Sequence, residues 1–226
     1  MKKISLIVLT AVLILIFTAC QGTDVVGKVA LTSFEQILNA MPDKIEFDEQ
    51  YNGFALITPT EDRFFIGKDF SVEGQPDLML DFDAKPFVNA GLDISKLPAD
   101  MYQYDEMMDM IMVLAEIGDH PSEYKGEVNM LEAFRHVVKN HREVVGYHEK
   151  LDHYGVALGN GNMFEWAKNM ATNDKDLVFV LNPQPFIDAG VDPTKVEGWV
   201  FAKVEIMDQN GKPIEVDKLL KPLNIK

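Results

Sequence analysis

The chain has 226 residues, of which 21 are Lys or Arg and 36 are Asp or Glu, for a net charge of −15. So acidic a surface repels a phosphate backbone, which excludes nucleic acid as a partner. The 47% hydrophobic content can build a core, and a single cysteine rules out an intramolecular disulfide, so stability has to come from packing.

Lys2 and Lys3 precede an uncharged apolar run over residues 4–17, followed by Thr18, Ala19 and the only cysteine, Cys20. Fourteen helical residues reach about 21 Å, short of the roughly 30 Å hydrocarbon core of a bilayer, so the run reads as a signal peptide over residues 1–19. Its "FTAC" end resembles the lipobox of bacterial lipoproteins, with Phe17 where that family usually has leucine. The resemblance implies cleavage before Cys20, a diacylglyceryl thioether on Cys20 and an N-acyl chain on the new terminus. Two or three acyl chains, at about 0.8 kcal/mol per buried CH₂, hold a protein stably on a membrane. The expected location is therefore the extracytoplasmic face of the cell membrane, in the periplasm or at the cell surface. Residues 20–30 are then the lipidated cysteine and a polar tether. Losing residues 1–19 removes two lysines and takes the net charge to −17.

The rest of the chain repeats itself. "KPFVNAGLDISKL" at residues 85–97 returns as "QPFIDAGVDPTKV" at 184–196, an offset of 99. Asp77 matches Asp176 and Phe65 matches Phe164 at the same offset, Phe34 matches Phe134 at 100, and Gly53 matches Gly155 at 102. Helix pattern, strand pattern and Gly/Pro punctuation keep one order through both copies, which predicts a duplication. Each copy opens with apolar residues at helical spacing: Phe34, Ile37, Leu38 and Met41, then Met130, Leu131, Phe134, Val137 and Val138, the second helix spanning about residues 122–145. Short apolar runs bounded by turn formers follow and read as strands: "GFALITP", "RFFIG" and "DLMLDF", then "GVALG", "MFEWA" and "DLVFVL". "GNGN" at 159–162 reads as a tight hairpin, and so does the Asn210-Gly211 pair. The repeated thirteen residues read as a corner after the last central strand: proline opens one helical turn, Gly91 or Gly190 ends it, and Phe87 or Phe186 plugs the sheet end.

Between the copies, Met101, Tyr104, Met108, Ile111 and Ala115 keep helical spacing and predict a helical segment over 100–121, although "MYQY" also reads as the strand matching "WVFA". The expected fold is α+β: module 1 over 31–99, the helical segment over 100–121 and module 2 over 122–226, each module a helix packed on a small antiparallel β-sheet.

Three constellations could carry chemistry. All five histidines, His120, His136, His141, His148 and His153, fall in one short window, but no i,i+4 pair presents a preformed zinc site. Met108, Met110 and Met112 supply thioethers suited to Cu(I), so with His136, His141, His148 and His153 they form a candidate copper or soft-metal region over 101–153. Trp166 and Trp199, which the alignment sets against Gly67 and Asp100, are candidate contacts for a ligand or protein partner. GxSxG and a cysteine free for catalysis are both missing. The leading expectation is a membrane-anchored binding or scaffold module for a protein or small ligand lodged between the two copies. The alternatives are a soft-metal-binding protein and a hydrolase. No cofactor is expected beyond the lipid on Cys20.

Overall fold

The structure, a computed structural model, describes residues 11–13, 23–118, 124–207 and 212–225. Cys20, His120 and the Asn210-Gly211 turn lie outside the described residues. A short strand β1 (Ala11–Leu13) comes first, and then the chain runs twice through one series. The first pass is α1 (Thr23–Ala40), β2 (Ile45–Asp48), β3 (Gly53–Ile57), β4 (Arg63–Gly67), β5 (Leu78–Asp83), α2 (Lys85–Asn89), β6 (Tyr102–Asp105) and β7 (Met110–Ala115). The second is α3 (Met130–Asn140), β8 (Val145–His148), β9 (His153–Gly159), β10 (Asn162–Ala167), β11 (Leu177–Leu181), α4 (Gln184–Asp188), β12 (Val200–Met207) and β13 (Pro213–Leu223). α1 takes in residues 23–30, which were expected to form the tether, and no helix among the described residues is long and apolar enough to cross a membrane.

The strands form two sheets, ordered β2-β3-β4-β5-β7-β6 and β8-β9-β10-β11-β13-β12, so the two passes have the same antiparallel topology. β1 adds three residues in parallel to the free edge of β12. Cross-strand register makes the correspondence exact to the residue. Ile45 faces Leu56 as Val145 faces Val156, and Gly53 faces Gly67 as His153 faces Ala167, all at an offset of 100. This corrects the sequence alignment: His153 rather than Gly155 occupies the position of Gly53, and Glu165 rather than Phe164 that of Phe65.

The segment over 100–121 is a second correction, because it holds a β-hairpin, β6–β7, and not a helix. Asp109 turns it at positive φ, and β7 pairs with β5 from Leu78–Ala115 to Asp83–Met110. Pairing satisfies the backbone of β5 along its whole length, which a helix there could not do. α3 is also shorter than expected; it starts at Met130, where the Asn129 side chain accepts the Glu132 N–H, an N-cap.

Helix placement corrects the picture of two self-contained modules. α1 packs on β8, β9 and β10 of the second sheet, and α3 packs on β3 and β4 of the first. Phe34 and Phe134 meet where the helices touch, with centroids 4.4 Å apart. The sheets turn their apolar faces toward each other, Phe64 stacking on Phe164 at 4.0 Å, so both passes share one core. The space between the two sheets is filled by this core.

The repeated thirteen residues join the halves. Gly91 N–H donates to Val88 O and Leu92 N–H to Phe87 O, and Gly190 and Val191 repeat both bonds, so each short helix ends in a Schellman motif. The two corners then clasp. Asp93 N–H donates to Ala189 O and Asp192 N–H to Ala90 O, each at 2.9 Å, while Phe87 meets Phe186 at 4.8 Å. Tyr102 is set edge-on to Phe186, and Trp199 edge-on to Phe87. A buried ion pair from Lys221 to Asp62 at 2.6 Å also crosses between the halves.

Candidate functional site

The expected site residues separate in space. His136 and His141 lie at the C-terminal end of α3, their rings 5.5 Å apart, with His136 packed on Phe70 and Tyr124. Burial there, with His141 and Lys139 nearby, holds His136 neutral by lowering it to about 4. His148 and His153 face each other across β8 and β9 in the second sheet. Met108 is exposed in the β6–β7 turn, while Met110 and Met112 share one face of β7 in the first sheet, and Met112 is buried against Phe65 and Met79. Among the described residues, no three His, Cys, Asp or Glu side chains are placed to hold a metal ion.

Both tryptophans are core residues, which corrects their assignment as contact sites. Trp166 is fully buried, and its Nε1 donates to Ser33 Oγ at 2.8 Å; Trp199 lies under Lys221 at the junction. Their emission should be blue-shifted and resist iodide quenching. Red-shifted, readily quenched fluorescence would contradict this placement.

One functional candidate went unseen in the sequence. On β10, Phe164 and Trp166 point into the core, so Met163 and Glu165 point to the opposite face. There the Glu165 carboxylate, 1% exposed, lies 3.6 Å from Nδ1 of His148 and 3.6 Å from Nδ1 of His153. Gly155 faces Glu165 across the pair, and a Cβ there would sit 3.0 Å from Glu165 Cγ, so the glycine makes room for the side chain. Burial pushes the Glu165 carboxyl up, but the two imidazoles outweigh it and hold the group below the usual carboxylate range. Lys218, on β13, is buried nearby and donates to Gly161 O at 2.7 Å. Burial lowers its ammonium to about 8, against the pull of Glu165. In the first half the same positions hold Asp48, Gly53 and Phe65, whose ring covers Gly53. A charged cluster thus stands in one half where the other has an aromatic plug. "MFEWA" reads as an ordinary alternating strand, and nothing in it signals that its outward face is covered.

The second candidate is a cavity of about 600 Å³ on the outer side of the first sheet, lined by Gln50, Tyr51, Gln75, Gln103, Asp100 and Glu116. Its walls come from the β2–β3 turn, the β4–β5 connection, the approach to β6 and the end of β7. Each is pinned by the backbone. Asp48 accepts the Tyr51 N–H at 3.1 Å, Leu114 N–H donates to Met101 O, and the Asp77 carboxylate accepts the N–H groups of Ile117 and Gly118. The Tyr51 phenol donates to Met112 Sδ at 3.5 Å. Burial, together with the charges of Asp48, Asp105 and Asp81, raises the Tyr51 pKa, so the ring stays protonated. Asp81 lies on the same face of the sheet beside Met112, where burial raises its carboxyl to about 6 although Arg63 lies 3.9 Å away.

Comparison with protein-family models, curated proteins and solved structures finds no match for this chain.

Proposed function

We propose that the protein is an extracytoplasmic lipoprotein, held on the cell membrane by a diacylglyceryl thioether and an N-acyl chain on Cys20, whose folded body is a binding or scaffold module. The observation that carries the binding reading is the separation of the two candidate sites. The imidazoles of His148 and His153 are packed into the second sheet, whereas the cavity able to hold a molecule lies on the first and is walled by amides, a phenol and carboxylates, with no Ser, Cys or His among its lining residues. A hydrolase needs its base and its substrate in one place. The body arose by duplication. Supporting this are the matched strand order, the 100-residue register offset, and two cation–π contacts at equivalent positions, Lys68 over Phe47 at 5.5 Å and Lys168 over Tyr147 at 5.0 Å.

Lipidation is tested by feeding cells an alkyne-tagged fatty acid. The wild-type chain should take up the label and fractionate with membranes, and Cys20→Ser should lose the label and accumulate at precursor length. Label retained in Cys20→Ser, or absent from the wild type, sinks the anchor.

A further inference from the structure

Another cavity, of about 460 Å³, lies at the edge of the first sheet, walled by Leu38 of α1, Ile45 and Phe47 of β2, Phe54 of β3 and Met130 of α3. Its aromatic wall is open, for Phe47 is 45% exposed. The second half shows what closes such a place. Offset by 100, the positions of Leu38, Ile45, Phe47 and Phe54 hold Val138, Val145, Tyr147 and Tyr154, and there Tyr154 is buried and Tyr147 half-buried. α1 and α3 end at equivalent residues, Ala40 and Asn140, but α1 has 18 residues against 11, so about two extra turns stand at its N-terminal end. α1 packs on β8, and in the extra turns buried Gly27 lies so close to α3 that a Cβ on it would sit 2.8 Å from Val138 Cγ1. The first half lacks this cover. α3 starts only at Met130, and the residues before it turn aside, Gly126 at φ of +55° against the Lys68 carbonyl and Tyr124 onto Phe70 at 5.4 Å.

The rim sets the polarity of an occupant. Glu35 and Glu46 line the open groove and no Lys or Arg does, whereas the filled one has Arg135 and Gly146 at those positions. Lys68 lies over the Phe47 ring at 5.5 Å and is engaged there. A fatty acid would bring its carboxylate to this acidic rim, and a neutral apolar molecule would leave the rim unmet. We propose that the groove docks an amphipathic helix of a partner protein, about two turns long at the contact, with apolar residues toward Phe47 and Phe54 and Lys or Arg toward Glu35 and Glu46. Two such turns are what the second half supplies to itself through α1. The proposal rests on the binding or scaffold reading and names the chemistry of the partner. The acidic body adds long-range attraction for a basic helix.

The test is fluorescence anisotropy with the full lipidated chain in phosphatidylcholine nanodiscs, empty discs serving as the blank. Three labelled peptides of about 14 residues, near the shortest that form helix in water, are compared: leucine on one helical face and lysine on the other, the same pattern with glutamate for lysine, and the leucine–lysine composition broken by a central proline. The intact leucine–lysine helix should bind, and the other two should be weaker by at least about tenfold. Phe47→Ala, which removes an exposed ring, should cost at least about tenfold in affinity for that helix. Glu35→Gln/Glu46→Gln, also on the surface, should cost about threefold and flatten the salt dependence. Val200→Ala, an equally exposed apolar side chain on β12, should change nothing. Equal binding of the glutamate or proline peptide overturns the basic-helix partner, and binding unchanged in both groove variants removes the groove as its seat. Self-association that Phe47→Ala abolishes, without peptide binding, makes a second copy the occupant and overturns the proposal. So does an absence of binding by all three peptides. Each of these failures leaves the binding or scaffold reading standing, because that reading rests on the other cavity and its distance from the imidazoles.

Discussion

Replacing Gly91 with alanine should cost the protein about 3–5 kcal/mol, a large share of the roughly 5–15 kcal/mol that holds a typical domain folded. Three terms add. Gly91 has φ of +108°, where a side chain is strained by about 1–2 kcal/mol. The new Cβ would lie 2.7 Å from the carbonyl oxygen of Gly190, a backbone atom that cannot swing aside. Relieving that collision pulls apart the two reciprocal amide bonds, Asp93 to Ala189 and Asp192 to Ala90, each worth about 0.5–1.5 kcal/mol. Gly190→Ala should behave alike, because its Cβ would meet Gly91 O at 2.9 Å. Gly198→Ala is the control: φ there is +80°, but nothing lies within 4 Å of the added Cβ, so only the backbone term of about 1 kcal/mol applies. Urea midpoints for the three variants decide the matter. If Gly91→Ala costs no more than Gly198→Ala, the clasp is not what joins the halves.

His153→Leu should destabilise the protein by about 3 kcal/mol at neutral pH, because it removes one of the two imidazoles beside the buried Glu165 carboxylate and leaves only His148. The carboxylate is then buried with half of its compensation gone. Adding Glu165→Leu should recover most of the loss, since an apolar side chain of similar volume has no charge to compensate. The two substitutions are therefore strongly non-additive, and a sum of independent losses in the double variant would show that the cluster is not energetically coupled.

Acid gives the same pair a second signature. In the wild type the Glu165 carboxyl is depressed below its unfolded value, so its contribution is fully present above about pH 4.5 and disappears as pH falls through the folded-state value. In His153→Leu, burial is opposed by one imidazole only, and the carboxyl moves upward. Protonation on acidification then relieves the buried charge. The stability gap between variant and wild type should narrow as pH drops from 7 toward 5, and a gap that widens would contradict the assignment of Glu165 as a buried, paired carboxylate.

Much of the local structure was legible in the order of residues. The corner is an example: proline before a single helical turn and glycine after it admit one geometry, and both copies adopt it with the same Schellman bonds. "GNGN" was equally plain, because Gly159, Asn160 and Gly161 all take positive φ in the β9–β10 turn. Residues 101–115 were not. Met101, Tyr104, Met108 and Ile111 satisfy a helical period, while Met110, Met112 and Leu114 alternate with Ile111 and Val113 as a strand does. Over so short a stretch both periods fit, and it is the unsatisfied edge of β5 that selects the strand.

The sequence by itself determined the two recurring corners, the Gly159–Asn162 turn and the charge that any partner must meet, because those follow from local backbone preference and from composition. Only the tertiary structure decided that each helix lies on the other copy's sheet, that the recurring corners clasp each other, and that Glu165 is buried between two imidazoles. An apolar helix face fits either of two similar sheets equally well by pattern, and an outward-pointing strand residue is charged or buried according to what the rest of the chain lays over it. Both are settled by contacts between residues a hundred positions apart.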